Sequence, residues 1–268
     1  MLWQRVVVAL IGLPVLIGLV FGPVSVFTVV VALALLVAAW EFQHLTPRTV
    51  RLPTWAVVAG TALPLFAWGV TLRPGEGLVT GLGLAVLGLV PVALVAYERG
   101  HDGAASGLVY AVFAAVYFGV VGGFLIGLRA QAGAWAWLWA LSTVWVNDSM
   151  AYFVGRAWGR HRLSPRLSPK KTWEGFLGGV VAAVAYGMAF PALVQGLGAA
   201  WGQVSWGTRV SLPLALALLT PLGDLAESLF KRSVGVKDSG HWLPGHGGIF
   251  DRIDAWLWAG VLAYWLLV

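Results

Sequence analysis

Of the 268 residues, 59% are hydrophobic and only 10% are charged, with a formal net charge of +6. A soluble domain of this length has about a quarter of its residues charged, so a fold facing water on all sides is excluded, and a mean hydropathy of +0.84 makes lipid the main solvent. Cysteine is absent, which also excludes disulfides, thiolate nucleophiles and Cys-ligated zinc.

A membrane-crossing helix needs about 20 apolar residues. Nine such runs are expected, at 4–21, 23–42, 54–72, 77–97, 104–128, 134–155, 173–196, 209–230 and 250–268. The first follows Met1–Arg5 and reads as a span rather than a cleaved signal, because many further apolar runs succeed it. A tight hairpin at Phe21-Gly22-Pro23 divides it from the second. The expected class is therefore all-α: a polytopic integral membrane protein with about nine transmembrane helices. Sixteen Trp and 35 Gly suit that class, since aromatic rings favour the interfaces and glycine lets helices pack closely.

With the N-terminus inside, all 17 Lys and Arg fall on the inner side except Arg73, Arg129 and Arg209. The positive-inside rule then predicts a cytoplasmic N-terminus and a C-terminus outside. Residues 1–130 read as an N-terminal transmembrane scaffold. Residues 131–268 read as the catalytic transmembrane domain, with cytoplasmic loops at 156–174 and 229–250.

Three polar constellations lie in that second region. In the sixth run, Asn147 and Asp148 interrupt an apolar helix, and an ionisable residue there costs several kcal/mol unless it is paired or faces a cavity. The next loop carries Arg156, Arg160, Arg162, Arg166, Lys170 and Lys171. For the arginines, ordinary attraction to acidic lipid is an equal reading. Ser168, Lys170, Lys171, Thr172 and Glu174 gather hydroxyls, ammonium groups and a carboxylate at a helix start, where free backbone N–H groups favour anions.

The third constellation runs from Gly223 to Asp254. Asp224, Glu227, Ser228 and Lys231 share one helical face by their spacing, as do Asp251 and Asp254 on the last helix. Carboxylates brought together from two helices are hard oxygen ligands suited to Mg²⁺, which takes phosphate oxygens as further ligands. Gly245, Gly247 and Gly248 permit positive φ and close approach to a ligand, and Lys231, Arg232 and Lys237 are phosphate-binding cations. Helix capping is the competing explanation for Asp251, and it leaves the other carboxylates unexplained. His246 has no partner at metal-ligand spacing and reads as a substrate contact or a loop hydrogen bond.

The stretch Ser228 to Asp254, SLFKRSVGVKDSGHWLPGHGGIFDRID, closely resembles the signature of the phosphatidate cytidylyltransferase (CDP-diglyceride synthetase) family. NDSMAY from Asn147, SPKKTWEG from Ser168 and GDLAES from Gly223 also resemble that family. The resemblance implies that CTP and phosphatidic acid give CDP-diacylglycerol and pyrophosphate in a membrane, the cell inner membrane in bacteria. It also implies a divalent metal, Mg²⁺ or Mn²⁺, a nearby monovalent K⁺, and a homodimer, with no nucleic-acid partner. Asp224 and Asp251 match the family's metal carboxylates. Lys237 and Arg252 join them as catalytic cations. The substrate-binding set is then Asn147, Asp148, Ser168, Lys170, Lys171, Thr172, Glu174, Glu227, Ser228, Lys231, Arg232, Asp238, His246, Gly247, Gly248 and Asp254.

Two other readings compete. A CTP-dependent lipid kinase of the polyprenol type shares the membrane core and basic loops but releases CDP. A transporter would use Asp148 as a relay, yet the polar residues cluster at one interface and no inverted repeat is present.

Overall fold

The computed structural model describes residues 2–71, 74–198, 201, 203–240 and 247–268. It is 81% helical. The helices are α1 (Leu2–Phe21), α2 (Val24–Leu45), α3 (Thr54–Thr71), α4 (Pro74–Glu98), α5 (Ala104–Ala114), α6 (Gly122–Gln131), α7 (Gly133–Trp158), α8 (Trp173–Gly196), α9 (Trp206–Ser233) and α10 (Phe250–Leu267). A π-helical segment, Ala115–Val121, joins α5 to α6 without a break. Among the described residues, Val24–Leu45, Gly75–Glu98, Ala104–Gln131, Trp173–Gly196 and Trp206–Ser233 are long and apolar enough to cross a membrane. The chain is thus an all-α integral membrane protein, with each apolar run of the sequence on a helix.

Prolines sit inside several of these helices, including Pro64, Pro91, Pro191, Pro213 and Pro221. In water each would cost a helix about 3 kcal/mol. Between packed membrane helices the freed groups find other partners, so prolines are tolerated there.

The basic loop expected over 156–174 is more ordered than a loop. After α7 ends at Trp158, β1 (Arg162–Ser164) pairs antiparallel with β2 (Ser168–Thr172), with Arg162 opposite Thr172 and Ser164 opposite Ser168. Trp173 N–H donates to the His161 carbonyl at 2.9 Å and closes the base of this hairpin. Pro169 lies within β2, which a two-stranded ribbon with free outer edges tolerates. The strands bury little apolar surface, so no alternating hydrophobic pattern announced them.

The described chain divides into two compact units. The first joins Met1–Gly127 with Phe230–Ile253, and the second joins Leu128–Leu229 with Asp254–Val268.

In the first unit an aromatic core surrounds Phe42. Its ring meets Phe118 at 5.8 Å, Phe113 at 5.4 Å and Phe230 edge-on at 5.0 Å, while Phe250 packs edge-on against Phe118 at 4.9 Å. The π segment lies against α3: a Cβ on Gly119 would come within 2.9 Å of the Thr61 carbonyl oxygen. In the second unit α7 and α8 cross closely. A Cβ at Gly178 would sit 2.7 Å from Val154, and one at Gly179 would sit 2.6 Å from Asn147 Oδ1. Trp139 Nε1 donates to the Gly187 carbonyl at 2.9 Å, tying the same two helices together.

Candidate active site

The second unit gathers carboxylates from two helices. Asp224 and Glu227 lie one turn apart on α9, and Asp254 lies near the start of α10. One ligand oxygen from each of the three lies within 4.8 Å of the other two. Asp224 is half-buried, and Glu227 and Asp254 are buried. Gly223 makes this approach possible, because a Cβ there would lie 2.6 Å from both the Asp254 carbonyl oxygen and the Trp258 ring.

Cations and neighbours complete the cluster. Lys171, at the end of β2, forms an ion pair with Asp224 Oδ2. Asp148 on α7 feels both Lys171 and Asp224. Asn147, its buried neighbour, donates to the Ala217 carbonyl at 3.3 Å and so links α7 to α9. Carboxylates this close repel one another when all are ionised. Their hard oxygens fit a small divalent cation such as Mg²⁺.

The hairpin that delivers Lys171 is fastened at its base. Thr172 caps α8, its hydroxyl accepting from Gly175 N–H at 3.2 Å. Glu174 accepts from Arg160 N–H at 3.1 Å, from His161 N–H at 3.2 Å and from His161 Nδ1 at 2.5 Å. Gly159 and Gly155 leave room for Thr172 on the α7 side. Glu174 therefore braces the hairpin, and Ser168 and Lys170 ride on β2.

The first unit holds a different arrangement around Asp251. Lys231 Nζ donates to Oδ1 at 2.6 Å. Oδ2 accepts from Ser239 N–H at 2.9 Å, Ser239 Oγ at 2.9 Å and Gly248 N–H at 2.8 Å. Only 6% of the Asp251 side chain is exposed. Gly247 adopts φ +82°, and a Cβ on it would come 2.7 Å from Asp251 Oδ2. The glycine pair thus folds the backbone around the carboxylate.

Beneath this nest lies Glu41, a residue of α2 that the sequence reading passed over. It is fully buried and accepts from Ile249 N–H at 3.0 Å, Phe250 N–H at 2.8 Å and Ser239 Oγ at 3.1 Å. It caps the amino end of α10 from a distant helix, satisfying N–H groups that would otherwise be orphaned. Gly240 and Gly248 are small because a Cβ on either would run into Glu41. The rule that singled out Asp148, an ionisable group in an apolar run, applies equally to Glu41.

The other expected site residues fall as follows. Ser228 is buried on α9 beside Glu227 in sequence. Arg232 Nη1 donates to the Val236 carbonyl at 2.9 Å, while Lys237, Asp238 and Arg252 are exposed. His246 lies outside the described residues.

Membrane helices that bring carboxylates and lysines together at their ends define a class, the integral membrane proteins equipped for phosphate chemistry. Comparison with known proteins narrows it. The sequence model of the cytidylyltransferase family matches residues 3–268, and the chain belongs to that family. It is similar to the phosphatidate cytidylyltransferase of Brucella abortus, 36% identical over 242 residues that cover 90% of this chain and 82% of the relative. It is also similar to the enzymes of the same name from Bacillus subtilis and Thermotoga maritima. The first is 39% identical over 160 residues (59% of this chain, 57% of the relative), the second 40% over 141 residues (53% and 52%).

Proposed function

We propose that this chain transfers the cytidylyl group of CTP to phosphatidic acid, giving CDP-diacylglycerol and pyrophosphate. The observation that carries this reading is the convergence of Asp224, Glu227 and Asp254 beside Lys171. Family membership and the names of the relatives support it. The phosphate of phosphatidic acid is already an anion at neutral pH, so no side-chain base is required to make it a nucleophile. Its oxygen bonds to the α-phosphorus as the bond to the bridging oxygen breaks, and pyrophosphate leaves with that electron pair.

Charge repulsion between the two phosphates is the barrier, and the chain's residues address it. Asp224, Glu227 and Asp254 would hold a divalent cation, Mg²⁺ or Mn²⁺, which when bound supplies charge neutralisation and orients the phosphates for in-line attack. Lys171 lies where it can follow developing phosphate charge beside Asp224. Lys237, Arg252 and Arg232 are exposed cations whose chemistry suits a pyrophosphate leaving group. Asn147, Asp148, Ser168, Lys170 and Thr172 line the path of the nucleotide. Asp251, the second metal carboxylate implied by the family resemblance, takes that role only if Lys231 yields its place.

With α-³²P-labelled CTP, label should enter the organic phase only when phosphatidic acid is present. Entry of γ-label, with CDP left in the aqueous phase, would make the protein a lipid kinase instead.

The charge asymmetry supports nine spans, a cytoplasmic N-terminus and a cytoplasmic active site in the inner membrane. In this Cys-free chain, Pro165→Cys and Asp238→Cys should react with an impermeant thiol reagent only from the cytoplasmic face, and Gln203→Cys only from outside. Labelling of 165 and 238 from opposite faces would end the topology. The family resemblance further supports a homodimer and a K⁺ requirement, tested by crosslinking and by replacing K⁺ with Na⁺.

A further inference from the structure

Within the first unit, far along the chain from the residues above, the segment between α2 and α3, the start of α3 and the end of α4 line an open cavity of about 860 Å³. Arg48, Arg51, Arg99 and His101 line one side. No aspartate or glutamate lines it. The rest of the lining is largely apolar, with Trp55 at the start of α3 and Pro91 and Val95 on α4.

The cationic side is built rather than draped. Arg51 donates through Nε and Nη2 to the Thr46 carbonyl, at 3.2 and 2.7 Å, and through Nη2 to the His44 carbonyl at 2.5 Å. Gln43 Nε2 holds the Leu52 carbonyl at 2.6 Å. Gly103 and Gly107 let the start of α5 press on the backbone of Thr49 and Val50, where a Cβ would collide with carbonyl oxygens. Burial first, and then the neighbouring Arg48, hold the Arg51 guanidinium below its ordinary value. Arg48 and Arg99 make no ion pair among the described residues, and the buried His101 Nε2 has no hydrogen-bond partner. This leaves three cations lining one cavity.

We propose that this cavity is a second lipid site, which binds an anionic glycerophospholipid by its phosphate and lays one acyl chain against Trp55, Pro91 and Val95. A soluble anion would satisfy the arginines but gain nothing from the apolar wall, whereas a phospholipid matches both sides. The cavity shares no residue with the carboxylate cluster or the Asp251 nest.

The test uses the full chain in nanodiscs with a diazirine-bearing phosphatidylglycerol, which is not a substrate, and peptide mapping of the crosslinks. Label should fall on α3 and α4 near Trp55 and Val95. The double variant Arg48→Gln/Arg99→Gln removes two cations that hold no structural partner. At roughly 1 kcal/mol per cation near a membrane surface, it should weaken capture about 30-fold, while turnover in neutral lipid is unchanged. Val95→Trp, which fills the apolar side, should block the same crosslink with every charge intact. Unaltered labelling in both variants would overturn the proposal. So would equal capture of a phosphatidylcholine probe, or displacement by millimolar pyrophosphate, which would mark a soluble-anion site. Because the readout is binding, the proposal stands or falls independently of the reaction assigned above.

Discussion

The carboxylates of the two units face opposite electrostatic situations. Asp251 is surrounded by donors: an ammonium group, a hydroxyl and two backbone N–H groups. Asp224, Glu227 and Asp254 are surrounded by each other, with Lys171 at one side. The first arrangement already sets donors on both carboxylate oxygens. The second brings three carboxylates together, a chemistry that a divalent cation would stabilise. Carboxylates from one contiguous stretch of sequence thus sit in two different surroundings.

The largest expected effect is on turnover. Asp224→Asn should lower the rate at least 10²–10³-fold, on the scale of losing one electrostatic contact to a transition state, with expression intact. A near-normal rate in this variant would remove the cluster from the chemistry. Next, Mg²⁺ at about 100 times its dissociation constant should stabilise the wild type by roughly 2.7 kcal/mol, read as a rise in thermal midpoint. Asp254→Asn should abolish that rise; a rise of wild-type size would take Asp254 out of the metal site.

Lys231→Met reverses the logic on the other side. It leaves Asp251 buried without its cation and should cost about 3–5 kcal/mol of stability, part of which Lys231→Met/Asp251→Asn should recover. Equal losses in the single and double variants would mean that the ion pair is not what neutralises Asp251. Glu41→Gln should cost less, about 1–3 kcal/mol, since one acceptor of a buried set is replaced by a donor. Its turnover should fall with the Mg²⁺ dependence unaltered. The smallest effect belongs to Glu174→Gln: its exposed contacts to the hairpin base should change the rate by no more than about twofold.

The helices were legible because twenty apolar residues in lipid admit little else. Asp224 and Glu227 were legible as one helical face by their spacing, and the signature after Ser228 named the family. The presence of Asp254 beside them depends on the packing of α10 against α9, which no local pattern encodes. The hairpin at 162–172 was hidden because its strands bury almost no apolar surface. Glu41 was hidden by distance: its partners lie about 200 residues further along the chain.

That separation has a consequence in time. Translation proceeds at about 5–20 residues per second, so roughly 10–40 s pass between synthesis of Glu41 and synthesis of Ser239, 198 residues later. Throughout that interval a carboxyl group destined for full burial is in or near the membrane with none of its final donors yet made. The nascent chain must keep Glu41 hydrated at the interface or covered by the insertion machinery until α10 arrives. Burial of this acid is therefore timed by the synthesis of α10, and a ribosome stalled before Phe250 would hold a nascent chain in which Glu41 lacks the Phe250 N–H.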